Sequence, residues 1–175
     1  MNNTNTQQTI SVQNGLSISK NLTTYYYQYP TNLGDITITC TQDAITAIHL
    51  GTPINTTGEN VRTALMDKAF QEITEYLEGK RKTFAVPLAP NGTAFQQKVW
   101  SALRTIPYGE TRSYSEIAEM IGNPKACRAV GMANNKNPII IMIPCHRIIG
   151  KNGSLVGYAC GLEKKEYLLN LETNL

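Results

Sequence analysis

The segment Pro144-Cys145-His146-Arg147 sets a thiol beside an imidazole, directly after a proline that fixes the turn. The thiolate is the reactive form of cysteine, and a neighbouring base or cation is needed to populate it near neutral pH. The apolar run 139–143 must be buried, so we expect it to deliver Cys145 out of the core. For an arbitrary Cys-His pair, the alternative is an inert buried cysteine beside a surface histidine.

Two short helices are predicted before this segment. Ser113 and Glu116 have the spacing of a capping box, which starts a helix. Asn123-Pro124 predicts the start of the next helix, with proline at its first position. The pair is typical of a helix-turn-helix, and Arg128 points outward from its second helix. Many helical domains contain such a pair, so the pattern alone does not establish DNA binding.

The first half of the chain has the pattern of a small α/β domain. Residues 25–27, the alternating residues 36–40 and residues 45–50 predict strands of an antiparallel sheet. Apolar spacing over 62–78 predicts a helix that Gly79 ends. We expect three segments: a polar arm over 1–22, an α/β domain over 23–90 and a mostly helical domain over 91–175.

Composition narrows the class of protein. The 175 residues are 41% hydrophobic, and the longest apolar run, 139–144, is far too short to span a membrane. No signal peptide is apparent, so we expect four reduced cysteines and a cytoplasmic protein. Residues 1–92 hold six Lys/Arg and seven acids, whereas residues 93–175 hold ten and six. The second half is thus the better candidate for meeting a polyanion, although an ordinary surface could carry the same charge.

Residues 93–175 resemble the C-terminal domain of the O6-alkylguanine-DNA alkyltransferases, also called methylated-DNA–protein-cysteine methyltransferases. The motifs that carry the resemblance are Ile106-Pro-Tyr-Gly-Glu-Thr-Arg-Ser-Tyr, Gly122-Asn-Pro-Lys-Ala, Arg128-Ala-Val-Gly, Asn137-Pro and Ile143-Pro-Cys-His-Arg. The resemblance implies an α/β protein with a ribonuclease H-like N-terminal domain and a winged helix-turn-helix in the C-terminal domain. Residues 23–90 fit the family's N-terminal domain more loosely.

The resemblance also implies catalytic roles for individual residues. Cys145 would accept the alkyl group, and His146 would act as its base through a bound water. Glu172 would orient His146, and Asn137 would brace the turn that presents Cys145. Tyr114 would lie beside the flipped nucleotide and protonate the departing guanine. Outside the family context, Glu172 and Asn137 could be a surface charge and a plain turn residue.

Further residues are implied at the DNA and in the base pocket. Arg128 would fill the gap that the flipped nucleotide leaves. Besides Arg128 and Tyr114, three more residues would contact the DNA: Ser115, Asn123 and Ala126. The pocket for the base would be lined by Tyr158, Ala159 and Cys160. A single exposed arginine is more often simply solvated, so the role of Arg128 depends on the resemblance.

The implied function is DNA repair by direct reversal. One methyl or other small alkyl group would pass from O6 of guanine to Cys145 in a single turnover. O4 of thymine would be a weaker substrate. The protein would be a monomer that binds double-stranded DNA containing O6-alkylguanine and does not contact a membrane. We expect no cofactor and no structural zinc, because the first half offers only Cys40 and His49 as zinc ligands of the usual kind.

Three alternative functions compete with direct repair. An alkyltransferase-like protein that binds lesions without transferring the group would lack the acceptor cysteine, whereas Cys145 is present. A transcription activator of the family would need additional modules upstream. A cysteine hydrolase would need an oxyanion site that the sequence does not reveal.

Overall fold

The computed structural model describes residues 23–51 and 57–173, and its first half is built on a small sheet. The strands are β1 (Tyr25–Tyr29), β2 (Ile36–Cys40), β3 (Ile45–Leu50) and the short β4 (Glu59–Asn60), in the order β3-β2-β1-β4. The first three pair antiparallel, and β4 joins β1 in parallel. The predicted sheet is confirmed, with one short strand added. The predicted polar arm over 1–22 lies outside the described residues.

Helix α1 (Ala64–Leu77) packs on this sheet. Its first turn is capped by Thr63, whose hydroxyl accepts a hydrogen bond from the Met66 N–H. Gly79, at φ +74°, ends the helix in a conformation that glycine adopts readily. The predicted helix over 62–78 is therefore confirmed to within two residues at each end.

The second half is mostly helical, as predicted. Its helices are α2 (Ala94–Leu103), α3 (Tyr114–Met120), α4 (Cys127–Asn135) and α5 (Leu162–Thr173). Helices α2, α3 and α4 contact one another, so the predicted helix-turn-helix pair, α3 and α4, packs on a third helix. The capping box of Ser113 and Glu116 is present at the start of α3.

The start of α4 differs from the prediction. Asn123-Pro124 predicts a helix that starts at the proline, but α4 begins at Cys127, and the cap residue Ala126 makes no side-chain hydrogen bond. The Ala126 N–H donates to the Asn123 carbonyl at 2.9 Å, which closes a separate turn between the helices. Pro124 lies in that turn, where its fixed φ is equally acceptable.

The apolar run that precedes the Cys-His pair joins the two halves. Residues 139–143 are buried, and Ile139 forms an isolated bridge with Ile48 of β3. The run forms turns rather than a strand, and Ile141 has φ +70°. It leads into a 3-10 turn (Cys145–Arg147) and then strand β6 (Ile148–Ile149), which pairs with β5 (Arg112–Ser113) beside α3.

Buried side chains of both halves form one continuous core. The boundaries at residues 22 and 90 therefore stay predictions. Within residues 23–51 and 57–173, no helix is long and apolar enough to cross a membrane. In the same part of the chain, no group of three or more His, Cys, Asp or Glu side chains is arranged to hold a metal ion.

Candidate active site

Cys145 opens the 3-10 turn and is only 4% exposed. The expectation that the apolar run carries this residue out of the core is therefore wrong. The run folds back on itself, and the Cys145 N–H donates to the Ile143 carbonyl at 2.8 Å. Asn137 holds the same turn, because its Nδ2 donates to the Ile143 carbonyl at 2.8 Å and its Oδ1 accepts from the Ile139 N–H at 3.0 Å.

His146 and Glu172 lie together, both fully buried at the side chain. His146 Nε2 is 2.9 Å from Glu172 Oε1, although the two residues are distant in sequence. Beside an ionised carboxylate, Nε2 carries the proton and donates it in the hydrogen bond. His146 Nδ1 then keeps its lone pair, and it has no partner among the described residues. The imidazole is thus arranged as a base with its orientation fixed by a carboxylate.

Three residues that the sequence did not single out also hold Glu172. The Arg147 guanidinium donates to both carboxylate oxygens, at 2.8 and 2.9 Å. The Tyr76 hydroxyl donates at 2.5 Å, and the Gly109 N–H donates at 3.1 Å. Arg147 directly follows the Cys-His pair in the sequence, and this position is a signal that could have indicated a role in the site. Nothing in the sequence connects Tyr76 of α1 with the site.

Burial and hydrogen bonding set the protonation states. Burial raises the pKa of the Cys145 thiol to about 11, partly offset by a hydrogen bond from Asn137, so the thiol is protonated near neutral pH. Burial lowers the pKa of His146 against the opposing effect of Glu172, which keeps the imidazole neutral and able to accept a proton. Burial opposes ionisation of Glu172, but the hydrogen bonds from His146 and Arg147 prevail and lower its pKa to about 2.

Two tyrosines and a second thiol lie close enough to Cys145 to interact with its charge. Burial raises the pKa of Tyr114 and of Tyr158, and the Cys145 thiolate adds to both shifts. Cys160 is half-buried, and its charge adds to the rise that burial causes in the pKa of Cys145. Ala159, by contrast, is exposed. The structure therefore groups Tyr114, Tyr158 and Cys160 at the thiol.

A glycine and a lysine, for which the sequence predicts no role in the site, also lie around Tyr114 and Cys145. The Tyr114 hydroxyl donates to the Val156 carbonyl at 3.2 Å, and a Cβ on Gly157 would lie 2.9 Å from that hydroxyl. Lys165 is completely buried, and its Nζ donates to the carbonyls of Ile148 and Val156. Burial lowers the pKa of Lys165 to about 8, against the opposing attraction of the Cys145 thiolate.

The predicted DNA contacts lie on or near the surface of the helix pair. Arg128 is exposed on α4 and has no hydrogen-bond or ion-pair partner within residues 23–51 and 57–173. Asn123 is exposed in the turn between α3 and α4, and Ala126 is half-buried at the start of α4. Ser115 is half-buried, with its hydroxyl 2.9 Å from that of Ser113. These four residues lie in the first turn of α3, in the turn between the helices and at the start of α4, and their surface is called the α3–α4 edge below.

Comparison with known proteins gives matches in both halves of the chain. Residues 24–90 match the family model "6-O-methylguanine DNA methyltransferase, ribonuclease-like domain", and residues 94–174 match the DNA binding domain of the same family. The constitutive methylated-DNA–protein-cysteine methyltransferase of Bacillus subtilis is 48% identical over 158 residues, which cover 85% of this chain and 94% of that protein. A methyltransferase of the same name from Methanosarcina acetivorans is 62% identical over 105 residues, covering 60% and 67%.

Solved structures agree with the sequence matches. The crystal structure of Mycobacterium tuberculosis O6-methylguanine methyltransferase is 42% identical and has a TM-score of 0.79, covering 86% of this chain and 93% of that one. A structure of M. tuberculosis OGT in complex with DNA has a TM-score of 0.81, with the same identity and coverage.

Proposed function

The chain belongs to the 6-O-methylguanine DNA methyltransferase family, and from this membership we propose that it repairs DNA by taking an alkyl group from O6 of guanine onto Cys145. The observation that carries the proposal is the buried arrangement of Cys145, His146 and Glu172. In it a protonated thiol lies next in sequence to a neutral imidazole, whose orientation is fixed by a carboxylate.

The chemical step needs a thiolate, which the buried Cys145 does not form by itself near neutral pH. His146 Nδ1 removes the thiol proton, directly or through one water, and Glu172 stabilises the imidazolium that results. The sulfur then attacks the alkyl carbon and forms a C–S bond while the bond from that carbon to O6 breaks. The guanine leaves with the electron pair of that bond and takes the hydroxyl proton of Tyr114. The proton that His146 removed from the thiol then restores the Tyr114 hydroxyl, so no net proton is gained or lost.

The product explains why the reaction runs once per molecule. A thioether has no good leaving group, and none of the residues grouped at Cys145 is placed to hydrolyse it. The protein is therefore consumed in stoichiometric amounts. The alternative of a lesion-binding protein without transfer is disfavoured, because Cys145, its base and the carboxylate that orients the base are all present.

The substrate must be brought out of the helix before this chemistry can begin. O6 of guanine lies inside the base stack, and extruding a base costs a few kcal/mol, least for a damaged pair. Lesions occur in any sequence, so binding should depend on phosphate contacts and groove shape. We propose that the α3–α4 edge docks on the duplex, that Arg128 occupies the vacated position, and that Ser115, Asn123 and Ala126 contact the backbone.

The exposed side chain of Arg128 yields the first prediction. Arg128→Ala should slow repair of O6-methylguanine in duplex DNA by about tenfold or more, since the side chain no longer offsets part of the extrusion cost of a few kcal/mol. Reaction with free O6-benzylguanine, which needs no extrusion, should keep its wild-type rate. The rates are measured as loss of free Cys145 with time.

Lys136→Ala is the matched control for this prediction, because it removes one exposed cation from the other end of α4. It should weaken repair far less than Arg128→Ala. If Arg128→Ala slowed both substrates equally, the role of Arg128 in extrusion would be excluded.

The proposed function is tested by mass spectrometry of the wild-type protein. After incubation with a duplex containing O6-methylguanine, the intact protein should gain the mass of one CH2 unit, and peptide sequencing should place it on Cys145. A duplex with unmodified guanine is the control. An unchanged mass with the methylated duplex would overturn the proposal.

We further propose that the protein works in the cytoplasm. The described residues include four free cysteines, Cys40, Cys127, Cys145 and Cys160, and the acceptor must stay reduced to react. A compartment with a reducing glutathione pool keeps such thiols free.

A further inference from the structure

Tyr76 of helix α1 reaches from the first half of the chain into the candidate active site. Its side chain is completely buried. Its hydroxyl lies 2.5 Å from Glu172 Oε1 and 3.3 Å from His146 Nε2, although Tyr76 precedes both residues by 70 positions or more in the sequence. The carboxylate that orients the base is therefore in contact with a side chain from the other half of the chain.

The Tyr76 hydroxyl is the donor in its contact with Glu172, because an ionised carboxylate can only accept hydrogen bonds. Burial and the nearby charge of Glu172 raise the pKa of Tyr76, so the hydroxyl keeps its proton. A distance of 2.5 Å is typical of a hydroxyl that donates to a charged oxygen, which is the stronger class of hydrogen bond. His146 Nε2 donates to the same oxygen at 2.9 Å, so its contact with the hydroxyl joins two donors that share one acceptor.

Packing fixes the ring that carries this hydroxyl. The Tyr76 ring contacts the rings of Phe84 and Tyr108, with centroid distances of 5.4 and 6.0 Å. The Tyr108 hydroxyl donates to the carbonyl of Leu171, which directly precedes Glu172 on α5, at 3.2 Å. Because the ring is buried among these contacts, the hydroxyl has little freedom to leave the carboxylate. The first half of the chain therefore determines where the hydroxyl lies.

The hydroxyl acts on the base through the carboxylate. Burial opposes the ionisation of Glu172, and hydrogen bonds from His146, Arg147 and Tyr76 lower its pKa. A donor on Oε1 takes up part of the negative charge, so Glu172 attracts the protonated form of His146 less strongly. Burial lowers the pKa of His146, and the other charged groups that face it, Arg147 and Lys165, act in the same direction. Without the Tyr76 hydroxyl, the imidazole should hold a proton more readily and be less firmly oriented.

We propose that Tyr76 is a positioning residue for alkyl transfer, by which the first half of the chain holds Glu172 in place and limits the strength of His146 as a base. Tyr76 acts through Glu172 and takes no part in the bond exchange at Cys145. The groups assigned to the transfer all lie in the second half, so their activity depends on a side chain from the first. This inference rests on the proposed function, since it assumes that His146 removes the thiol proton.

Tyr76→Phe tests the proposal, because it keeps the ring and its packing and removes only the hydroxyl. Methyl transfer from an O6-methylguanine duplex, measured by single-turnover kinetics near neutral pH, should slow by about tenfold or more, as expected for the loss of one hydrogen bond to a charged group. Transfer from free O6-benzylguanine should slow by the same factor, since the hydroxyl acts on the chemical step and extrusion does not involve it.

The pH dependence of the rate separates this role from a structural one. In the wild type, the rate should fall on the acid side as His146 takes up a proton and can no longer accept one from the thiol. In Tyr76→Phe the midpoint of this fall should move to higher pH, because the more concentrated charge of Glu172 favours the imidazolium. A fold that is merely loosened would lower the rate at every pH and leave the midpoint unchanged.

Tyr29→Phe is the matched control for these measurements. Tyr29 is also a buried tyrosine of the first half, and its hydroxyl donates to a carboxylate, that of Asp67, at 2.7 Å. Asp67 lies on the same helix as Tyr76, roughly 13 Å away along the helix axis. Tyr29→Phe should lose a similar amount of folding stability in urea unfolding but keep the wild-type rate and the wild-type pH midpoint.

A second comparison uses the Glu172→Gln variant. Because the hydroxyl acts through the carboxylate, adding Tyr76→Phe to Glu172→Gln should slow transfer much less than Tyr76→Phe does alone. Equal slowing in both backgrounds, an unchanged pH midpoint in Tyr76→Phe, or wild-type kinetics in this variant would each overturn the inference. Absence of transfer to Cys145 by the wild-type protein would instead overturn the proposed function.

Discussion

Replacing Cys145 by alanine should abolish alkyl transfer completely while leaving binding to DNA intact. The sulfur of Cys145 is the atom that we propose forms the new bond, so the alanine variant has no acceptor at this position. The α3–α4 edge that we propose for DNA docking does not include the Cys145 side chain, which is 4% exposed. Intact mass after incubation with an O6-methylguanine duplex, together with a gel-shift assay, measures both expectations.

Two other thiols provide controls for this result. Cys160 is half-buried near Cys145, and Cys127 is exposed at the start of α4. Cys160→Ala and Cys127→Ala should each still gain one CH2 unit. Methylation that persisted in Cys145→Ala would show that the acceptor lies elsewhere.

Replacing Glu172 by glutamine should have the second largest effect, on activity and stability together. The variant loses the charge that stabilises the His146 imidazolium, so transfer should slow by about a hundredfold or more. The same change leaves the buried guanidinium of Arg147 without its counter-charge. Breaking a buried ion pair from one side costs about 3–5 kcal/mol of folding free energy. Single-turnover kinetics and urea unfolding measure the two effects.

The pH dependence of stability should change in the same variant. The pKa of Glu172 is lowered from its ordinary value of 4.5 to about 2 in the folded protein. Its contribution to folding is therefore fully present above pH 4.5 and is lost as the pH falls toward 2. Burial also lowers the pKa of His146 from its ordinary value of 6.5. The folded protein therefore loses further stability as the pH falls below 6.5, because the unfolded chain then binds a proton that the buried imidazole does not.

Urea unfolding at several acidic pH values tests this window. The wild-type free energy of unfolding should fall more steeply below pH 4.5 than that of Glu172→Gln. Glu166→Gln, an exposed glutamate on the same helix, should behave like the wild type in activity and in acid. Wild-type rates in Glu172→Gln would contradict the orienting role that we assign to this carboxylate.

Much of the local structure followed from short-range patterns. The alternation over 36–40, the capping box of Ser113 and Glu116 and the glycine at position 79 each act within a few residues. Such signals depend on backbone geometry that neighbouring residues determine, so they could be predicted. Helix α4 begins three residues after the proline signal predicts, because the hydrogen bond from Ala126 to Asn123 closes a separate turn there.

The sequence by itself determined the chemistry of the protein: a thiol, an adjacent imidazole and motifs that specify the family. Only the tertiary structure decided the environment of that thiol. It keeps Cys145 buried, raising its pKa, and brings Tyr76 of the first half onto Glu172 of the last helix. It also turns Asn134 toward the Cys145 carbonyl. These contacts join residues far apart in the chain, and burial depends on the packing of the whole core, so no local pattern could reveal them.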